Sequence, residues 1–197
     1  MESWSHISSA GVLAAAMTVG GAVSACAAAP EHDVRRLAVA VNDYVGVDPA
    51  TLAFAERLAG DAYLRAGIEI EWIVPDGFGD SGRLSVNLLS EEMAAPSGVS
   101  SDTVGFATPG SLAANAIYDR VLEMAHDYHL KSGVLLGYVM AHELGHLLLP
   151  AHSHSELGLM RANLDLELAR EKKLGFTSDQ AALMQERLTV PPVVSTH

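Results

Sequence analysis

The sequence predicts an α/β or α+β domain, a small mixed sheet backed by two long helices. Three observations predict it. Short apolar runs with period-two alternation recur along the first half of the chain. A capped amphipathic stretch separates the first two of them. A long apolar pattern with helical spacing then fills residues 129–149 and stops at Pro150. At 197 residues the chain is long enough for one domain with a substantial core.

Taken in order, residues 36–47 (RLAVAVNDYVGV) are β-branched and alternating, the mark of a strand. Asp48 and Pro49 supply an N-cap and a first helical residue, and Leu52, Phe54, Ala55, Leu58, Ala59, Ala62 and Tyr63 give the helix an apolar face. Gly67 ends it. Residues 68–74 (IEIEWIV) form a second strand closed by Pro75, residues 76–82 (DGFGDSG) a loop, and residues 83–89 a third strand. Residues 91–102 read as irregular. Residues 104–107 and 115–121 (NAIYDRV) read as two short strands around the Pro109-Gly110 turn. The long helix follows, and one or two further helices fill residues 164–188.

Residues 10–29 (AGVLAAAMTVGGAVSACAAA) are almost free of polar groups and end in small residues, the pattern of a secretory signal. Val23-Ser24-Ala25-Cys26 resembles a bacterial lipobox, in which Cys26 would be lipidated and tether the protein to a membrane. Residues 1–9 depart from an export signal, carrying Glu2 and no Lys or Arg. The expected organisation is therefore a signal or lipoprotein signal over 1–29, a single domain over 30–190 and a flexible tail over 191–197. The expected location is extracytoplasmic: secreted, periplasmic or anchored at the cell envelope.

Net charge is −12, without the basic footprint of a nucleic-acid binder, so no nucleic-acid partner is expected. Cys26 is the only cysteine, which rules out an intrachain disulfide and a Cys-ligated metal. Any metal site must be built from His, Asp and Glu. Of nine histidines, His142, His146, His152 and His154 are grouped around the end of the long helix.

The chemistry-bearing text is His142-Glu143-Leu144-Gly145-His146. Residues four apart on a helix stack about 6 Å apart along the axis. Two imidazoles so placed reach one Zn²⁺ at roughly 2.0–2.1 Å each. Glu143 is turned about 100° from His142 around the helix, so it flanks the metal without binding it. From there it can take a proton from water and deliver it to a leaving amine. Strongly apolar flanks (Val134, Leu135, Leu136, Val139 and Met140 before, Leu147, Leu148 and Leu149 after) argue that the helix is buried. Two His and one Glu in a buried helix need partners, and a metal supplies them. A catalytic zinc needs a third protein ligand and an open position. His152 and His154 are the near candidates, and Glu167 offers a rival geometry on a later helix.

HELGH, a nearby His-Ser and Gly158-Leu159-Met160 together resemble the metzincin peptidases, whose zinc motif is HExxHxxGxxH followed by a Met-turn. In the matrixin pattern, the third histidine and the methionine fall on His152 and Met160, and the family's glycine falls on Leu149. The segment also resembles a group of small bacterial metzincin-like proteins with HELGHLLL, a short loop and HS-x-x-GLMRA. That match covers more residues and puts the third ligand on His154, leaving His152 as the alternative. The resemblance implies a metzincin-like catalytic domain with zinc as cofactor and Met160 as a hydrophobic floor that does not bind the metal. It also implies a peptide or protein substrate paired with a sheet edge, offered by residues 105–107 or 115–118.

The expected activity is thus zinc-dependent hydrolysis of peptide bonds by a monomer, with Glu143 as general base and then acid. The alternative is a catalytically inactive zincin-like binding module of the cell envelope, against which the intact Glu143 counts. His126 and His129 read as surface or helix-start residues, and Asp119-Arg120 as a structural ion pair.

Overall fold

The computed structural model describes residues 34–74, 83–108 and 111–189. The export segment with Cys26, the 76–82 loop, the Pro109-Gly110 turn and the 191–197 tail lie outside the described residues. Among those described, no helix is long and apolar enough to cross a membrane.

Five strands form one mixed sheet: β1 (Arg35–Asp43), β2 (Ile68–Ile73), β3 (Leu84–Leu89), β4 (Gly105–Ala107) and β5 (Ala113–Ile117). Their order is β2-β1-β3-β5-β4, with all neighbours parallel except the antiparallel β4 edge. Alternation sends Leu37, Val39, Val86, Leu88, Ala114 and Ala116 into the core. Helix α1 (Pro49–Arg65) supplies the parallel crossover between β1 and β2. Asp48 caps it as expected, accepting from the Thr51 amide at 2.9 Å. Its buried face, Ala55, Leu58, Ala59, Ala62 and Tyr63, packs on the core.

Several boundaries differ from the sequence expectation. The first strand stops at Asp43 rather than continuing to residue 47, because the Asp43 carboxylate accepts the amides of Val45, Gly46 and Val47 and turns the chain. Residues 91–102 are not wholly irregular: Ser90 caps a one-turn helix, α2 (Glu91–Ala94). The run 115–121 is strand only to Ile117, then becomes α3 (Tyr118–Asp127). Buried Val121 and Ala125 lie four apart, a helical interval that the expected end at residue 121 cuts in half. Asp119 and Arg120 do not pair with each other. Asp119 accepts from the Glu91 amide at 2.8 Å, and Arg120 pairs with the Glu91 carboxylate at 3.0 Å.

The long helix, α4 (Ser132–Leu148), begins after His129, which takes a left-handed φ of 52° in the α3–α4 turn. Its residues from Gly133 to Gly145 are all buried, and the Tyr63 hydroxyl donates to the Ala141 carbonyl at 3.0 Å. After Pro150, a short helix α5 (Leu166–Arg170) and the final α6 (Ser178–Thr189) complete the fold.

Candidate metal centre

Helix α4 carries His142 and His146 one turn apart, and their Nε2 atoms face each other at 3.1 Å. The chain leaves α4 through Leu149 in an extended conformation, φ −95° and ψ 159°. An extended residue needs no glycine, so the leucine where the metzincin motif has glycine is no obstacle to the bend. The left-handed residue in this turn is instead His152, with φ 62°.

The return brings His154 to the helix. Its ring centroid lies 4.7 Å from that of His146 and 5.4 Å from that of His142. One ring nitrogen from each of His142, His146 and His154 falls within 4.8 Å of the others, a group able to hold a metal ion. His152 is exposed and outside this group. Glu167 is also outside it, on α5, where it pairs with Arg170. His126 is exposed on α3, and His129 in the turn after it.

The rings are aimed by partners that the sequence does not single out. His142 Nδ1 lies 2.8 Å from the Leu159 carbonyl, which can only accept, so Nδ1 carries the proton and Nε2 keeps its lone pair. His146 Nδ1 lies 3.2 Å from Ser153 Oγ. Burial lowers the basicity of both rings, His146 to about 4 with the neighbouring histidines adding to the effect, so both are neutral near pH 7. Without a metal, Ser153 Oγ can donate to His146 Nδ1 or accept from it, and in the first case His146 Nε2 donates its proton to His142 Nε2. Around a tetrahedral zinc, two imidazole nitrogens sit about 3.4 Å apart. The donor set and its spacing therefore fit such an ion, with a fourth position left over.

Beneath α4, Ser155 and Met160 close a tight turn through an amide-to-carbonyl bond of 2.9 Å. Gln180 on α6 donates to Ser155 Oγ at 3.0 Å, and the Leu159 amide donates to the Gly175 carbonyl at 2.7 Å. This fixes Leu159, whose carbonyl orients His142. Met160 is fully buried, and a Cβ on Gly145 would lie 2.6 Å from its Sδ. The glycine inside HELGH is thus what lets the thioether pack under the helix. Gly145→Ala should cost about 1–3 kcal/mol in thermal or denaturant unfolding, as overpacking of a filled core does. Unchanged stability would show that the turn yields freely.

Glu143 is 7 % exposed, between the two histidines and close under β4. Burial pushes its pKa up to about 8 in the metal-free chain, and a cation at the cluster would pull it back down. A carboxyl with a folded pKa above its unfolded value near 4.5 contributes stability in acid that is lost as pH rises through 8. The histidines, depressed on folding, remove stability as pH falls below about 6.5. Metal-free Glu143→Gln should therefore exceed the metal-free parent in stability by on the order of 3 kcal/mol at pH 8. The gap should close by pH 4.5. Parallel pH–stability curves for the two proteins would contradict this.

No protein-family model matches the chain, and no curated protein sequence does. Among solved structures it is similar in fold to an archaemetzincin from Methanopyrus kandleri, with TM-score 0.56 and 16 % identity over 83 % of this chain and 99 % of that one. A zinc-dependent peptidase from Methanocorpusculum labreanum (strain Z) aligns with TM-score 0.49 and 12 % identity over 75 % of this chain and 99 % of that one. The five-stranded mixed sheet and its helices thus share the mixed α/β fold of that archaemetzincin.

Proposed function

We propose that the protein is a zinc-dependent endopeptidase of the metzincin type, with zinc held by His142, His146 and His154 and Glu143 as general base and acid. The observation that carries this is the convergence of three imidazoles on one point, with a buried carboxyl on the adjacent helix position. The fold likeness to an archaemetzincin supports it. Zinc, when bound, supplies Lewis-acid polarisation of a scissile carbonyl and acidity to a water molecule. Glu143 accepts a proton from that water as its oxygen bonds to the carbonyl carbon. It then gives the proton to the amine nitrogen as the C–N bond breaks. Leu159 and Ser153 keep the rings of His142 and His146 aimed, and Met160 serves as the Met-turn residue.

The substrate on this reading is an extended peptide added to β4. The Val104 carbonyl accepts from the Ile117 amide at 2.9 Å, so by antiparallel alternation Gly105 and Ala107 turn their amides and carbonyls to the open edge. The export segment, with or without lipid on Cys26, would place this activity outside the cytoplasm. Incubation of the purified chain with an unfolded protein tests the reading. Cleavage should stop with a chelator and return with added zinc. Bound zinc without turnover would instead favour the binding module.

A further inference from the structure

Strand β4 has three residues and one neighbour, yet its position matters at atomic resolution. A Cβ on Gly105 would stand 2.8 Å from Glu143 Cγ, from Glu143 Oε1 and from Val139 Cγ1. The edge backbone therefore rests directly on the carboxyl proposed as general base. So short an edge strand needs something to hold it there.

Arg120 holds the chain just before it, donating to the carbonyls of Ser100 at 2.6 Å and Thr103 at 3.0 Å. The strand itself is met by a row of asparagines. Asn42 on β1, Asn87 on β3, Asn115 on β5 and Phe106 on β4 are register partners across the sheet. Val86 and Leu88 point to the helices, so Asn87 and its row lie on the opposite face. Asn42 Nδ2 donates to Asn87 Oδ1 at 2.8 Å, and Asn87 Nδ2 donates to Asn115 Oδ1 at 3.0 Å. Asn115 Nδ2 donates to the Phe106 carbonyl at 3.2 Å.

The direction of this chain of bonds is forced. A carbonyl can only accept, so Asn115 must present its NH₂ to Phe106 and its oxygen to Asn87, and Asn87 must do the same toward Asn42. All three amide dipoles then align toward β4 and polarise one another. Asparagine is a poor strand residue, so strand propensity does not account for three at one level of a sheet. Asn115 is 8 % exposed, and its amide would be costly to bury without these partners.

We propose that Asn42, Asn87 and Asn115 are positioning residues that fix the edge strand against Glu143 and so set the geometry of the cleft. The catalytic part of this rests on the reading of Glu143 as general base. The row reaches from β1 across the sheet and meets β4 at the Phe106 carbonyl. Its effect on the strand should therefore diminish with distance from β4.

Hydrogen exchange on the zinc-loaded full chain tests it, with peptide turnover and zinc content measured on the same samples. Asn115→Ala should raise exchange of the β4 amides about tenfold and leave those of β1 and β2 unchanged. Asn42→Ala should raise it about two- to threefold at the same amides, through the weakened last bond. Zinc content should stay at one equivalent, and kcat should fall in the order Asn42, Asn87, Asn115. Should Asn115→Ala fail to fold, the Asn42 variant carries the test. Exchange that rises evenly over the sheet, rises only near β1, or does not change at β4 overturns the proposal. If the parent protein binds zinc but cleaves nothing, the peptidase reading fails, while the exchange pattern still decides whether the row holds the strand. Graded exchange with unaltered kcat would overturn the catalytic role.

Discussion

If Glu143 is the general base proposed, replacing it by alanine should leave one zinc bound and lower peptide hydrolysis by about 10³-fold, the effect of removing a positioned acid–base group. Glu143 is not a member of the histidine group, so the metal loses no ligand. Its carboxyl is buried against β4, and no Asp or Glu joins the histidine cluster among the described residues to take over its proton. The measurement is kcat on an unfolded protein substrate, with zinc content determined on the same preparation. Turnover within tenfold of the parent would remove Glu143 from the role assigned to it. Loss of zinc together with activity would mean that the carboxyl belongs to the metal site itself.

Removing zinc should also destabilise the fold. A ligand that binds only the folded state, present at a thousandfold its dissociation constant, contributes about 4 kcal/mol. For a domain of this size that is about 10 °C in melting temperature. The physical source is local. The facing Nε2 atoms of His142 and His146, 3.1 Å apart, can both turn a lone pair to one cation. The buried Glu143 carboxyl, held near pKa 8 without metal, gains a counter-charge. The His154 return loop gains an anchor at its exposed end. Scanning calorimetry with and without a chelator reads this directly. Equal melting temperatures would mean that no metal is bound by the folded state under those conditions.

Much of the scaffold is legible in the sequence because its signals are local. Asp48-Pro49 caps α1 through its own side chain, and the alternation of Val39, Val41, Val86 and Leu88 needs no knowledge of what lies opposite. The HELGH helix announces itself by spacing and by its apolar flanks. Signals that depend on tertiary context are harder. Tyr118 to Val121 reads as strand because the helical interval to Ala125 lies beyond the run. Helix α4 starts only at Ser132 because His129 adopts a left-handed turn, which no nearby glycine advertises.

The metal site divides along the same line. His142, Glu143 and His146 follow from helix geometry alone. Placing His154, and not His152, beside them depends on the extended exit at Leu149 and the left-handed φ of His152. Neither angle is encoded by a distinctive residue. Ser153 and the Leu159 carbonyl orient the rings, yet one is an ordinary serine and the other a backbone atom. Gly105 carries no local signal, because the reason for a glycine there is a carboxyl that lies 38 positions further along the chain. Gly145 is different. A glycine in the middle of a buried helix usually marks a close approach, and in this helix the approach is that of Met160.

Metal content of three alanine variants, at His142, His152 and His154, decides whether these imidazoles hold the zinc. One equivalent of zinc is expected in the parent and in His152→Ala, and far less in His142→Ala and His154→Ala under the same dialysis. Zinc retained by His154→Ala and lost by His152→Ala would contradict the assignment of His154 as third ligand. Zinc retained in full by His142→Ala would contradict the site itself.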